Sequence, residues 1–185
     1  MDINIALGIA GAVACLALSG LGSAIGTGFA AAGAIGAWKK CYAQNRPAPF
    51  LLLAYVGAPI TQTLYGMILM FTMIATITGT FTAESIAALE PERLALLKGL
   101  GMTIAENAPS ALPFAGMGML ILGIFAGAGI GMSAIFQGRA GGCSADAHGE
   151  TGQGLTNNLA ALGVIETTAI FIMVFTLIAV GGLAA

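Results

Sequence analysis

Four stretches of this chain, residues 3–38, 50–79, 111–137 and 155–183, are apolar for longer than a bilayer's hydrocarbon core is thick. A helix crosses that core, about 30 Å deep, with about 20 residues at 1.5 Å each. Every run meets the length, and the longer ones must tilt or reach into the headgroups. Only 8% of the 185 residues are charged, against 58% hydrophobic. A soluble domain carries about 25% charged residues. The expectation is an all-α membrane protein of four transmembrane helices, with no separate soluble domain. The first run follows Met1-Asp2, without a basic leader, and outlasts a secretory h-region of roughly 7–15 residues. It reads as a retained helix.

The connections set an orientation. Residues 39–49 carry Lys39, Lys40 and Arg46 with no acid, which places them in the cytoplasm. Residues 81–110 carry Glu84, Glu90, Glu92 and Glu106 against Arg93 and Lys98, an acidic connection for the opposite side, with a short helix expected over 90–98 behind Pro91. Residues 138–154 are Gly-rich and nearly neutral, and four crossings return them to the cytoplasm. Both termini then lie on the other side. His148 reads as an exposed loop histidine, since Cys143 and Asp146 nearby lack a metal-binding framework. Cys15, Cys41 and Cys143 show no metal-ligand spacing and read as reduced residues.

Glycine is concentrated where helices can use it. Gly22, Gly26, Ala30 and Ala34 recur every fourth residue in the first run, as do Gly123, Gly127 and Gly131 in the third. Small-residue ridges of this kind let helix backbones approach closely. The second and fourth runs look like copies. Met70-Phe71-Thr72-Met73-Ile74-Ala75 overlays Val174-Phe175-Thr176-Leu177-Ile178-Ala179 at an offset of 104 residues. Position 166 less 104 is position 62, so Glu166 has Gln62 as its counterpart. Each half is a helical hairpin, 1–80 and 111–185, and the pair suggests a duplicated unit that kept one carboxylate.

Glu166 is the charged residue at membrane depth. Burying it costs roughly 2.5–3.5 kcal/mol on insertion scales, so it needs a partner, a proton or a cation. The second run offers Thr61, Gln62 and Tyr65 at spacings of one face. Pro59 removes a backbone donor and can release a carbonyl such as that of Ala58 or Tyr55. Gln137 adds a second amide from the third run. Together these supply a carboxylate, two amide oxygens, a hydroxyl and a backbone carbonyl, a surplus of neutral oxygens that suits sodium more than a proton. The same side chains could instead be interhelical glue, worth about 0.6–2 kcal/mol each. Thr63, Thr167 and Thr168 read as packing or backbone-bonded hydroxyls.

At these residues the sequence resembles the membrane-rotor (K, or proteolipid) subunit of V-type rotary ATPases, over nearly the whole chain. Pro59-Ile60-Thr61-Gln62-Thr63-Leu64-Tyr65-Gly66 is similar to the second-helix motif of its sodium-transporting members. The resemblance implies Na⁺ ligands at Thr61, Gln62, Gln137, Glu166 and the Ala58 carbonyl, with Tyr65 holding the carboxylate. It implies a homo-oligomeric ring, a stator subunit with half-channels and an arginine, and central-stalk subunits. The connections at 81–110 and 138–154 are longer than the family's. The alternatives are the same rotor carrying H⁺, or a small secondary transporter, which sparse aromatics and crowded Gly/Ala ridges disfavour. With no P-loop, ATP chemistry would belong to partners. With no basic patch, nothing points to nucleic acid.

Overall fold

The computed structural model describes residues 3–78 and 115–184. Helix α1 covers Ile3–Ala43. The second span is interrupted: a 3₁₀ turn at Phe50–Leu52 leads into α2 (Leu53–Gly57), then a second 3₁₀ turn at Ala58–Ile60, then α3 (Thr61–Thr78). Helices α4 (Ala115–Thr151) and α5 (Leu155–Ala184) complete the described chain. Spans Ile3–Ala43, Phe50–Thr78, Ala115–Thr151 and Leu155–Leu183 are each long and apolar enough to cross a membrane, the architecture of a multi-pass integral membrane protein. The expected acidic connection at 81–110, with its short helix over 90–98, lies outside the described residues, as does the start of the third span.

Helices α1 and α4 are the closest pair, and they run parallel. Along their contact a Cβ on Gly11 would strike the Met119 backbone, one on Gly22 that of Gly131, and one on Gly33 that of Gly142. From the other side, a Cβ on Gly123 would strike Gly11 and one on Gly138 would strike Gly26. The glycines are there because backbone packs on backbone. Helix α3 runs antiparallel to α1 and also touches α4, while α5 packs on α4 and α3. Three apolar clusters stack along the bundle. One holds Ala12, Met73 and Met119. The middle one holds Cys15, Leu69 and Ile130. The last, near Lys40, holds Ala37, Leu52 and Tyr55.

The structure corrects the third span and the loop after it. The Gly-rich stretch 138–154 is not a loop: α4 continues to Thr151, and Gly152–Gly154 alone joins it to α5. Glycine weakens a helix by about 1 kcal/mol relative to alanine. Here Gly138, Gly142 and Gly149 extend the contact with α1, meeting Gly26, Phe29 and Ala37 in turn. The close packing offsets the propensity. Helix α4 ends at Gly152, whose φ of 70° suits glycine. His148 is correspondingly not an exposed loop residue. It is buried at 8% exposure, its Nδ1 lies 3.0 Å from the Gln153 carbonyl, and its ring meets Tyr55 edge-on.

Helix α1 likewise runs past the expected boundary at residue 38 to Ala43. It stops in a Schellman turn: Asn45 takes a φ of 52°, Asn45 N–H donates to Tyr42 O, and Arg46 N–H donates to Cys41 O. The Arg46 guanidinium then donates to the Gly149 and Glu150 carbonyls at 3.4 and 3.3 Å, covering the end of α4. Lys40 pairs with Asp146 at 2.8 Å. That pair is about half exposed, so solvent screens it.

Candidate functional site

The break in the second span is where the site begins. Pro59 has no N–H, and the chain tightens to 3₁₀ geometry across Ala58–Ile60 before α3 starts at Thr61. The Ala58 carbonyl thereby receives the Thr61 N–H and, at 3.0 Å, the Thr61 hydroxyl. The same hydroxyl lies 3.1 Å from Gln62 Oε1. Three oxygens are thus gathered around a single hydroxyl hydrogen.

From Gln62 the contacts cross the bundle. Gln62 Nε2 donates to Gln137 Oε1 of α4 at 2.9 Å. Gln137 Nε2 donates to the Leu162 carbonyl at 3.0 Å and to Glu166 Oε2 at 3.3 Å, both on α5. Tyr65 closes the set from α3, its hydroxyl 2.6 Å from Glu166 Oε1. Both amides are sealed from outside, at 0% exposure for Gln62 and 1% for Gln137. Glu166, Tyr65 and Thr61 are half-buried. The six residues singled out in the sequence, Ala58, Thr61, Gln62, Tyr65, Gln137 and Glu166, therefore meet in one network spanning three helices. Glu166 stands roughly 17 Å along the axis from the start of α5.

One orientation differs from the sequence expectation. Both amide oxygens were expected to be offered together, yet Gln137 turns its nitrogen to Glu166 and gives its oxygen to Gln62. The reason is complementarity of donors and acceptors: a carboxyl oxygen accepts, so the amide presents its N–H to it. Among the described residues, the ion pairs are those of Lys40 with Asp146 and Glu150, and none reaches Glu166. The carboxyl group is held by neutral donors, Tyr65 and Gln137.

No protein-family model matches the sequence, and no curated protein matches it either.

Among the described residues no cluster of three or more His, Cys, Asp or Glu exists that could hold a metal. What the network offers is one carboxylate and several neutral oxygens. Two positions escaped the sequence reading. Ser133 Oγ donates to the Ile165 carbonyl at 3.0 Å, one turn before Gln137 does the same to Leu162. The two, at i and i+4 on α4, stitch α5 in place over the turn that leads into Glu166. Their shared face was the available signal. Ser23 on α1 is the other: its Oγ is buried without a hydrogen-bond partner. The three threonines read as bystanders stay out of the network, and Thr167 bonds back to the Val164 carbonyl at 2.7 Å.

Proposed function

We propose that this chain is the ion-carrying subunit of a membrane rotor ring in a V-type rotary ATPase, moving Na⁺ by reversible binding at Glu166. The observation that carries the reading is the convergence of Glu166 with Thr61, Gln62, Gln137, Tyr65 and the Ala58 carbonyl at membrane depth. Glu166 supplies the charge, so the loaded site is neutral. Thr61, Gln62 and Ala58 supply oxygens already gathered for a cation. Gln137 supplies its amide, and Tyr65 fixes the carboxylate rotamer. A stator subunit would load and unload each site through two half-channels, with an arginine meeting the empty carboxylate. Moving one charge across 100 mV is worth about 2.3 kcal/mol, so several ions must pass for each ATP turned over by partner subunits.

The outward faces fit a ring of identical copies. Helix α1 turns outward small residues at Ala10, Ala17, Ala24, Gly28 and Ala32, interspersed with the exposed Leu21 and Ile35. The α4/α5 side turns bulky ones outward around a groove of about 510 Å³ lined by Leu122, Phe125, Phe171 and Phe175. Two different apolar faces, that of α1 on one copy against that of α4/α5 on the next, would make a head-to-tail contact, the kind that closes into rings. The parallel packing of α1 with α4 supports two like-oriented hairpins, 1–80 and 111–185, derived by duplication. The basic ends near Lys39, Lys40 and Arg46 belong in the cytoplasm.

The test is labelling of Glu166 by a hydrophobic carbodiimide, which attacks a protonated carboxyl group in an apolar setting. Labelling is followed against pH in NaCl and in KCl of equal ionic strength. Na⁺ is expected to protect and K⁺ not, most strongly at high pH where fewer protons compete. Labelling that follows pH alone would replace Na⁺ with H⁺ as the carried ion.

A further inference from the structure

Ser23 has a buried hydroxyl with nothing to bond to. The residue is 4% exposed, and its Oγ is the buried side-chain polar atom without a partner among the described residues. Leaving a buried hydroxyl unpaired is unfavourable, so its presence on a helix face made mostly of Gly and Ala calls for a cause. Ser19, one turn earlier and equally buried, has a partner in the Leu16 carbonyl at 3.0 Å.

The register of α1 against α3 identifies what Ser23 faces. A Cβ on Gly8 would meet Ile77, one on Gly66 would meet Ser19, and one on Gly26 would meet the Pro59 ring. Each step up α1 is matched by a step down α3. Ser23 lies four residues beyond Ser19, and Gln62 lies four before Gly66. The same register sets Ser23 opposite Gln62. The Gln62 amide nitrogen carries two hydrogens. One goes to Gln137 Oε1. The other is available on a side chain with 0% exposure. A buried donor and a buried acceptor thus stand at one level of the α1/α3 contact with no direct bond between them.

We propose that an ordered water joins Ser23 Oγ to Gln62 Nε2, making Ser23 a positioning residue for the ion site. Buried waters occupy sites of this kind, where polar groups would otherwise be unsatisfied. With both amide hydrogens held on the α1 and α4 sides, the Gln62 amide cannot turn over. Its oxygen stays beside Thr61 and the Ala58 carbonyl. Helix α1 contributes nothing to the network directly, and through this water it would set which end of Gln62 an ion meets.

The inference rests on the sodium reading for its consequence but not for its geometry, and two readouts separate them. The first is magic-angle-spinning NMR of the ¹⁵N-glutamine-labelled protein in liposomes, with the Gln62 side-chain signal assigned by its loss in Gln62→Leu. A water-to-amide transfer peak at Gln62 is expected, lost in Ser23→Ala and retained in Ser19→Ala. The second is the NaCl concentration giving half-protection from carbodiimide. It is expected to rise about 5- to 10-fold in Ser23→Ala with the pH profile in KCl unchanged, and to stay put in Ser19→Ala. Absence of the transfer peak in the unsubstituted protein, or its survival in Ser23→Ala, overturns the proposal. So does unchanged half-protection in Ser23→Ala when Na⁺ protects the unsubstituted protein. If Na⁺ never protects, the sodium reading falls and the transfer peak still decides the role of Ser23.

Discussion

Replacing Gly138 with alanine should destabilise the protein, although alanine is the better helix former. At Gly138 the new methyl would collide with the carbonyl oxygen, carbonyl carbon and Cα of Gly26. These are backbone atoms of a helix of 41 residues, not the end of a flexible side chain, so α1 must move as a body. Overpacking of this sort costs about 1–3 kcal/mol. A gap of 0.5–1 Å opened along the neighbouring contacts forfeits a quarter to a half of each contact's attraction. Against this, Gly→Ala in a helix gains up to about 1 kcal/mol. The net expectation for Gly138→Ala is a loss of up to about 2 kcal/mol. Gly36→Ala is the matched control, because a Cβ there meets nothing within 4 Å and only the propensity gain remains. The propensity gain is common to both variants, so they should differ by the overpacking cost alone, about 1–3 kcal/mol. The assay is equilibrium unfolding from mild-detergent micelles by SDS, followed by the fluorescence of Trp38. That lone tryptophan donates to the Pro49 carbonyl at 2.8 Å at the same end of the bundle. Equal midpoints for the two variants would refute the packing argument, and with it the extension of α4 as a helix locked to α1.

Two further expectations follow from the site and the surface. Gln62→Leu and Gln137→Leu should each raise the NaCl concentration for half-protection of Glu166 by at least about tenfold, since each removes a hydrogen bond chain worth roughly 1.5 kcal/mol or more. A change of less than twofold in both would remove the amides from the ion's surroundings. Among the cysteines, a maleimide should modify Cys143 and spare Cys15 and Cys41. Cys143 is exposed, Cys15 is fully buried, and Cys41 is 1% exposed with its thiol on the Gly149 carbonyl. Mass spectrometry of the folded protein should find one adduct per chain, and a second adduct before unfolding would contradict the α1/α4 contact at that end.

What the sequence made legible depended on contrast. Glu166, Gln62, Gln137, Thr61 and Tyr65 stand out because each is polar in an apolar run, and the structure joins them into one network. The four spans were legible for the same reason. Where contrast was missing, the reading failed. Gly138, Gly141, Gly142 and Gly149 sit among Ser, Asp, His and Glu, a composition typical of a loop. Their spacing instead prolongs the run of Gly123, Gly127 and Gly131, and a small-residue contact with α1 holds the segment helical. His148 was misplaced with it, since its burial comes from Tyr55 and Gln153, which lie far from it in sequence or beyond the helix end. Ser23 passed unnoticed because a serine in a Gly/Ala ridge looks like one more small residue. Its meaning comes only from the register with α3.

The network is also divided across the chain in a way that bears on how the protein is made. Gln62 and Gln137 are 75 residues apart, and Tyr65 and Glu166 are 101 apart. When α3 enters the membrane during synthesis, its polar residues have no partners, because α4 and α5 do not yet exist. The Pro59 turn gives Thr61 a local bond to Ala58 in the meantime. Glu166 arrives last, and it arrives to donors already in place. The costly charge is thus inserted only when Tyr65 and Gln137 can receive it, so the order of the genes' words is itself a safeguard: a chain interrupted before α5 would never expose that carboxylate to lipid.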